Sequence, residues 1–276
     1  MPTPSSPYTF SPIGVLESCF QTKNGTPRQP GVSPSGRARL QLSTPKLNNP
    51  DFSLDKLTEF SHVWIIFVFH LDKHAQASEG HQAPNHTVRS KISPPRLGGD
   101  KVGVFATRSP HRPVPIGLSL VRLMEVSRNT LILEGIDLVD GTPVLDIKPY
   151  LPTFDDPKNA KGEILTPVKV PDWARPTAIF ENDLEVCFTR RACQQLESIF
   201  SEGRPSDALI QTTEHMARLL VEVLRGDPRS RYRRNKCSDR LYFVELDGLH
   251  VTTWFDEIHG EKTSIVAEIL RIRTSK

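Results

Sequence analysis

PPRLGGDKVGVFATRSPHRPVPIGLSLVRLMEVSRNTLILEGIDLVDGTPVLDIKPYLP, residues Pro94 to Pro152, carries the pattern that decides the fold. KVGVFATR, SLVRLMEV, TLILEGIDLV and PVLDIKP are short apolar runs separated by Gly- and Pro-containing turns. Strands of this length and spacing predict a barrel or a sandwich. Asp140-Gly141 marks a tight turn between two of them. Pro110, Pro113 and Pro115 fix φ and donate no hydrogen bond, which keeps their segment out of a central strand. Arg108 and Arg112 are therefore presented from a stiff loop. Guanidinium groups held in this way suit a carboxylate, a phosphate or a stacked base.

Outward from this stretch the strand signals continue. RARLQL, Arg37 to Leu42, alternates polar and apolar residues as a half-buried strand does. HVWIIFVFHL, His62 to Leu71, is a nearly continuous β-branched and aromatic run, as in a buried strand. TFSPIGVLES, Thr9 to Ser18, reads as extended, and Asp51 to Phe60 as a short helix or turn. Closure of these strands into a barrel removes exposed edges. Asp72 to Pro94 is polar and rich in His, Ser, Asn and Gln, and reads as a mobile surface loop. The fold class expected is mainly β: a β-barrel domain over 8–152 after a disordered leader, a Pro- and Lys-rich linker over 153–176, and a small α+β domain over 177–276. In that second domain Ala192, Leu196, Ile199 and Phe200 mark one helix face. Leu209, Met216, Leu219, Leu220, Val223 and Leu224 mark another, with Gly226 as its stop. LYFVELDGLHVTTWF predicts a hairpin turning at Asp247-Gly248, and IVAEIL, Ile265 to Leu270, a third strand.

Composition narrows the partners. The 276 residues are 37% hydrophobic and 24% charged, enough for a core with a polar surface. A net charge of +3 means that nucleic-acid affinity must come from local clustering of the 35 Lys and Arg. No apolar run is long enough to span a bilayer, and MPTPSSPYTF lacks the plan of a secretory signal. Cys19, Cys187, Cys193 and Cys237 form no CxxC pair, so neither a zinc ribbon nor another metal site is expected. Sparse cysteine use fits a reducing compartment, and the expectation is a soluble protein of the cytoplasm or nucleus.

The chemistry-bearing motifs are few. No GxGxxG sits between a strand and a helix, so a Rossmann nucleotide site is not indicated. GGDKVG, Gly98 to Gly103, lacks the lysine of a P-loop and runs into a strand. In the acidic turn Asp137-Leu138-Val139-Asp140-Gly141 an aspartate can receive a ribose hydroxyl or a cationic amino group, or act as a base. Taken alone, such a turn is more often one in which both aspartates merely cap the backbone. Asp146 is placed to pair with Lys148 or a basic partner. Pro27-Arg28-Gln29-Pro30-Gly31 is a second stiff Arg turn, or an ordinary surface loop. His70 ends the apolar run, where a lone histidine is more often structural than catalytic. Asp227 to Arg234, DPRSRYRR, places four arginines and a tyrosine in eight residues: a phosphate-and-stacking patch, or a solvated loop after a helix C-terminus.

Several of these motifs, in this order, resemble the TrmO (TsaA/YaeB-like) family. They are PRQPG at Pro27, FSHVWIIFVFH at Phe60 and PPRLGGDKVGVFATRSPHRPVPIGLSL at Pro94, then DLVDGTPVLDIKPYLP at Asp137 and DPRSRY at Asp227. The resemblance runs from about Ile13 to Trp254. It implies a β-barrel that binds S-adenosyl-L-methionine and methylates N6 of threonylcarbamoyl-adenosine, just 3′ of the anticodon of transfer RNA. It implies a homodimer with the donor site near the subunit boundary. The donor-site positions it implies are Pro27, Arg28, Gln29, His70, Leu71, Arg108, Leu118, Gly135, Ile136 and Asp137. Asp72 to Arg89 is longer here than in compact bacterial relatives.

Such a reaction needs a group to take the N6 proton, because that nitrogen is conjugated to a purine and to a carbonyl. Asp137 or Asp140 could take it, and Arg108 or Arg112 could hold the threonyl carboxylate or the carbamoyl oxygen. Arg112, Arg229, Arg231, Tyr232 and Arg233 are the positions expected to hold the anticodon loop, whose bases are read by stacking and edge contacts. The competing readings are a non-catalytic RNA-binding barrel and a module that docks acidic peptides on its arginine loops.

Overall fold

The computed structural model describes residues 9–43, 45, 47–71, 88–94, 97, 99–156, 168–174, 184–258 and 264–275. In the first part of the chain lie β1 (Gly14–Ser18), β2 (Arg37–Leu42), β3 (His62–Val68), β4 (Lys91–Ile92), β5 (Val102–Gly103), β6 (Ile116–Ser127), β7 (Thr130–Glu134) and β8 (Thr142–Pro149). A single-turn helix α1 (Pro50–Ser53) lies between β2 and β3, and another, α2 (Pro152–Asp155), follows β8. Six of the strands close into an antiparallel barrel in the order β1-β2-β7-β6-β3-β8. Side chains alternate across a strand, and every second residue faces the barrel axis. Leu16, Leu40, Val63, Ile65, Phe67, Val121, Leu131, Leu133 and Val144 fill the interior. The interior is tight enough at one point to require glycine. A Cβ on Gly117 would lie 2.2 Å from Phe67 Cζ.

Three strand expectations are corrected. TLILEGIDLV is a strand only over Thr130–Glu134, because Gly135, at φ 74°, turns the chain. The run from His62 is not buried on both faces: Trp64, Ile66 and Val68 point outward and are half-buried. KVGVFATR is not a barrel strand. Only Val102 and Gly103 pair, with β4, and Val104–Ala106 then form a 3-10 turn. The Thr107 amide closes that turn by donating to the Val104 carbonyl at 3.2 Å, which takes the backbone out of a ladder.

The C-terminal part comprises β9 (Leu184–Phe188), α3 (Arg190–Ser201), α4 (Thr213–Arg225), α5 (Arg231–Lys236), β10 (Tyr242–Leu246), β11 (Leu249–Ile258) and β12 (Ser264–Thr274). Hydroxyls of Thr189, Thr212 and Ser230 cap the three helices, satisfying otherwise orphaned N–H groups. The sheet order is β10-β11-β12-β9, with β9 parallel to β12. Asp247 and Gly248 both have positive φ, 46° and 76°, as the hairpin turn requires. Asp247 does more than turn the chain. Its buried carboxylate pairs with Arg204 at 2.8 Å and accepts from the Leu209 and Ile210 amides. Gly226 has φ −71° and does not supply the left-handed stop; Asp227, at φ 40°, does. Glycine at 226 instead permits close approach, since a Cβ would lie 3.2 Å from Val32 Cγ1.

The loop 19–36 between β1 and β2 joins the two parts. The Asp247 amide donates to the Cys19 carbonyl at 2.7 Å, and Phe20 makes a bridge with Leu246. The Ser35 amide and hydroxyl both donate to the Glu222 carboxylate at 2.8 Å. Buried apolar residues of barrel and sheet form one contiguous cluster. Among the described residues no helix is long and apolar enough to cross a membrane.

Candidate active site

Antiparallel register puts the end of β1, the start of β2, the ends of β3 and β7 and the starts of β6 and β8 at one mouth of the barrel. Ser18 faces Ala38, Val68 faces Ile116, Glu134 faces Arg37 and Thr142 faces Leu16. The loops that carry Pro27–Gln29, His70–Leu71, Arg108–Arg112 and Gly135–Gly141 therefore share that mouth. Arg108 Nη1 donates to Gln29 Oε1 at 3.0 Å, tying the first Arg turn to the second. Ser119, buried inside β6, donates its hydroxyl to Asp137 Oδ1 at 2.6 Å. Burial pushes the Asp137 carboxyl up to about 6, against the Ser119 hydrogen bond, a backbone hydrogen bond and the Arg108 charge, which lower it. Arg108 thus acts on both Gln29 and Asp137.

His70 lies against the same corner. Burial first, and then the Lys23 ammonium, hold its imidazole below the usual range, while Asp140 pulls it up. Lys23 Nζ donates to the Leu71 carbonyl at 2.6 Å. Asp140 is a turn cap: its Oδ1 accepts from the Ser18 amide at 2.7 Å and its own amide donates to the Phe20 carbonyl. Gly135, at φ 74°, turns the chain out of β7. Asp146 pairs with Lys148 at 2.7 Å, as its spacing suggested.

Two expected donor-site residues are placed apart from this corner. The Ile136 side chain is fully buried in the core, so only its backbone can meet a ligand. Leu118 is 52% exposed on the outer face of β6, opposite Ile66, while its neighbour Ser119 points inward. Pro27 and Gln29 are half-buried and Arg28 is exposed. The Arg28 charge is felt at the Tyr242 hydroxyl, whose pKa burial pushes up to about 12. The PRQ turn therefore reaches from the barrel mouth to the C-terminal sheet.

The basic motif after α4 divides in two. Arg229 is 5% exposed, and its guanidinium donates to both Asp227 oxygens, at 2.8 and 3.1 Å, and lies 3.9 Å from the Phe255 ring centroid. The expectation that Arg229 contacts RNA is corrected: the left-handed turn at Asp227 folds the guanidinium inward. Tyr232 is 69% exposed on α5, and half-buried Arg233 lies over the Tyr242 ring at 5.6 Å. Arg231 is also on α5. Arg112 donates to the Thr107 carbonyl at 3.3 Å and lies 6.0 Å from the exposed Phe105 ring.

Sequence reasoning missed Ser119 and Lys23. Ser119 left a signal, since GLSL puts a hydroxyl at an inward position of a strand, where a buried polar atom needs a partner. Lys23 left none. The groups at the mouth comprise a guanidinium, an amide, a buried carboxyl and exposed apolar surface at Phe105 and Val114. That chemistry fits a ligand bearing an amino-acid head, a ribose diol and a purine.

A closed β-barrel with an Arg-Gln-Asp corner at its mouth defines a barrel-type ligand site without a glycine fingerprint. Residues 15–156 match the family profile of the tRNA-methyltransferase O N-terminal domain. A human relative named tRNA (adenine(37)-N6)-methyltransferase is 51% identical over 148 residues, 54% of this chain and 31% of its own length. An Escherichia coli K12 protein of the same name is 39% identical over 251 residues, 89% of this chain and 92% of its own length. A crystal structure of TrmO from P. aeruginosa superposes with a TM-score of 0.67 at 30% identity, covering 98% of each chain. The chain belongs to the tRNA-methyltransferase O family. It spans about a third of the length of the human relative.

Proposed function

We propose that this chain is an S-adenosylmethionine-dependent transfer-RNA methyltransferase acting on N6 of adenine 37, with threonylcarbamoyl-adenosine as the base modified. Family membership supports the reaction class. The single observation that carries the reading is Asp137, buried, held by Ser119, and sharing its field with Arg108 at the barrel mouth. S-adenosylmethionine, when bound, supplies an electrophilic methyl group. Gln29 and Arg108 orient ligands by hydrogen bonds and charge. The Asp137 carboxylate takes the proton that leaves N6; with the carboxyl at about 6, it is ionised at neutral pH yet basic enough to accept. Asp140 caps a turn, which supports Asp137 rather than Asp140 in this role.

The acceptor RNA follows the cationic route from Arg108 past Arg28 to Arg233 and Tyr232, whose exposed ring offers a face for a base. A second copy of the chain covers the outer face of β3 and β6, where Trp64, Ile66, Leu118 and Leu120 lie together. That cover would bring Leu118 to the subunit boundary, and sedimentation of the purified protein tests it.

The deciding experiment incubates the pure chain and labelled S-adenosylmethionine with transfer RNA carrying or lacking the threonylcarbamoyl group, then digests to nucleosides. Label in the methylated threonylcarbamoyl nucleoside alone is expected. No transfer to either RNA overturns the activity. Transfer to unmodified adenosine at equal rate overturns the finer substrate.

A further inference from the structure

Between α5 and the start of β10 the surface dips into an open groove of about 440 Å³, lined by Tyr232, Arg233, Cys237, Arg240, Leu241 and Phe243. None of its residues belongs to the barrel mouth. β10 is an edge strand: Tyr242, Val244 and Leu246 face the core, so Phe243 is turned outward. Phe243 is 42% exposed and Leu241 39%. The Phe243 ring is held in place, since the His250 ring lies 5.4 Å away at 40°. On the same face of the sheet His250 sits opposite Arg273 and Thr252 opposite Arg271, and both arginines are exposed. Glu245 lies directly opposite His250 on that face, and Glu268 opposite Trp254 farther along.

We infer that this groove is a docking subsite for one unstacked nucleotide of the substrate RNA, with Phe243 and Tyr232 as stacking surfaces and Arg240 and Arg233 as phosphate contacts. The inference rests on the reading of the chain as an RNA-modifying protein. Stacking surfaces with cations between them are the means by which proteins hold single strands without reading sequence. A groove for small apolar ligands would not need two arginines at its rim, and a volume of this size accepts a nucleoside. The chemistry asks for an unpaired nucleotide, because a base within a duplex has no free face to offer. Arg233, at the groove rim, lies over the Tyr242 ring, whose buried hydroxyl feels the Arg28 charge. A strand seated there is led toward the barrel mouth, and the subsite sets which loop can reach Asp137.

The test uses the full chain and an anticodon stem-loop RNA with an unpaired loop. Binding is measured over a range of salt for the wild type, Phe243→Ala and Arg240→Ala, alongside donor binding by calorimetry and methyl transfer at saturating RNA. Both side chains are exposed, so melting temperatures should stay close to wild type. Phe243→Ala is expected to weaken RNA binding about tenfold with the salt slope unchanged. Arg240→Ala is expected to flatten the log–log salt slope by about one. Donor binding and turnover at saturating RNA should be unaffected. If both variants bind RNA as the wild type does, the subsite is wrong while the proposed function stands. If the wild type binds RNA and the variants do not, but no methyl is transferred, the proposed function is wrong and the subsite stands. If the wild type binds no RNA, both are wrong. A Phe243→Ala protein that sediments at half the wild-type mass makes the groove an interface between copies and overturns the assignment.

Discussion

The Ser119 hydroxyl donates a hydrogen bond to Asp137 Oδ1 at 2.6 Å from inside the barrel wall. The bond does two things: it fixes the carboxyl's rotation and it favours the ionised form. Removing it should raise the Asp137 pKa above the value of about 6 that burial already imposes. A hydrogen bond to a charged group contributes roughly 1.5–3 kcal/mol, and one pH unit corresponds to about 1.4 kcal/mol. Ser119→Ala should therefore move the acid limb of kcat/KM for methyl transfer upward by about one pH unit. An unmoved limb removes Asp137 from the proton path. Asp137→Asn should lower kcat by on the order of a hundredfold or more.

The same carboxyl has a stability signature of defined sign. Its usual pKa is 3.8 and its folded value is about 6. Between those values the folded chain binds more protons than the unfolded one, so Asp137 lowers stability as pH rises from about 4 to about 6. Above that window the full cost of burying the charge is present. Asp137→Asn abolishes the charge at similar shape. Its melting temperature should match wild type near pH 4 and exceed it by on the order of a few degrees at pH 8. A difference independent of pH would mean that the carboxyl is not buried as described.

The barrel was legible because period-two alternation survives in any strand that has one face on a core. RARLQL could be read directly, and so could the first half of TLILEGIDLV, whose strand ends at Glu134. The order of strands around the barrel could not, since register is set by partners far apart in the chain. β9 was missed for a related reason: LEVCF is short, and its ladder exists only through the parallel partner near Ile265, some eighty residues on. KVGVFATR misled because β-branched residues signal a strand whether or not a neighbour is available to pair. At the site, PRQ, Arg108 and Asp137 were legible as stiff or acidic turns, and antiparallel pairing brought them to one mouth. Arg229 was misassigned because counting arginines in a motif carries no information on burial.

Gly117 gives a packing prediction at the same mouth. A methyl there would lie 2.2 Å from Phe67 Cζ and 2.5 Å from Cε2, and the Phe67 ring is walled in by the barrel interior. Overpacking of this kind costs about 1–3 kcal/mol. Gly117→Ala should reach the upper end of that range in urea unfolding. Phe67→Leu in the same chain should recover part of it, because a smaller ring-free side chain vacates the volume. The coupling between the two sites should exceed about 0.5 kcal/mol. Additive losses would show that the clash is relieved by backbone movement instead.

Arg229 and Arg233 lie four residues apart and should fail in opposite ways. Arg229 is enclosed by Asp227 and Phe255, with Arg234 a further 3.6 Å contact to the same carboxylate. Breaking a buried pair by removing one partner costs roughly 3–5 kcal/mol where no other partner remains, and Arg234 at 3.6 Å offsets part of that cost here. Arg229→Ala should therefore melt many degrees below wild type, and what remains folded should keep the wild-type salt slope for RNA binding. A double change, Asp227→Asn with Arg229→Met, should recover part of the loss, since no charge is then left buried. Arg233 is half-buried over Tyr242 at the surface of α5. Arg233→Ala should change stability little and flatten the salt slope by about one phosphate contact. The turn at Asp227 is what separates the two roles. If Arg229→Ala melts like wild type and it is this variant that loses the phosphate contact, the inward turn at Asp227 does not exist in solution.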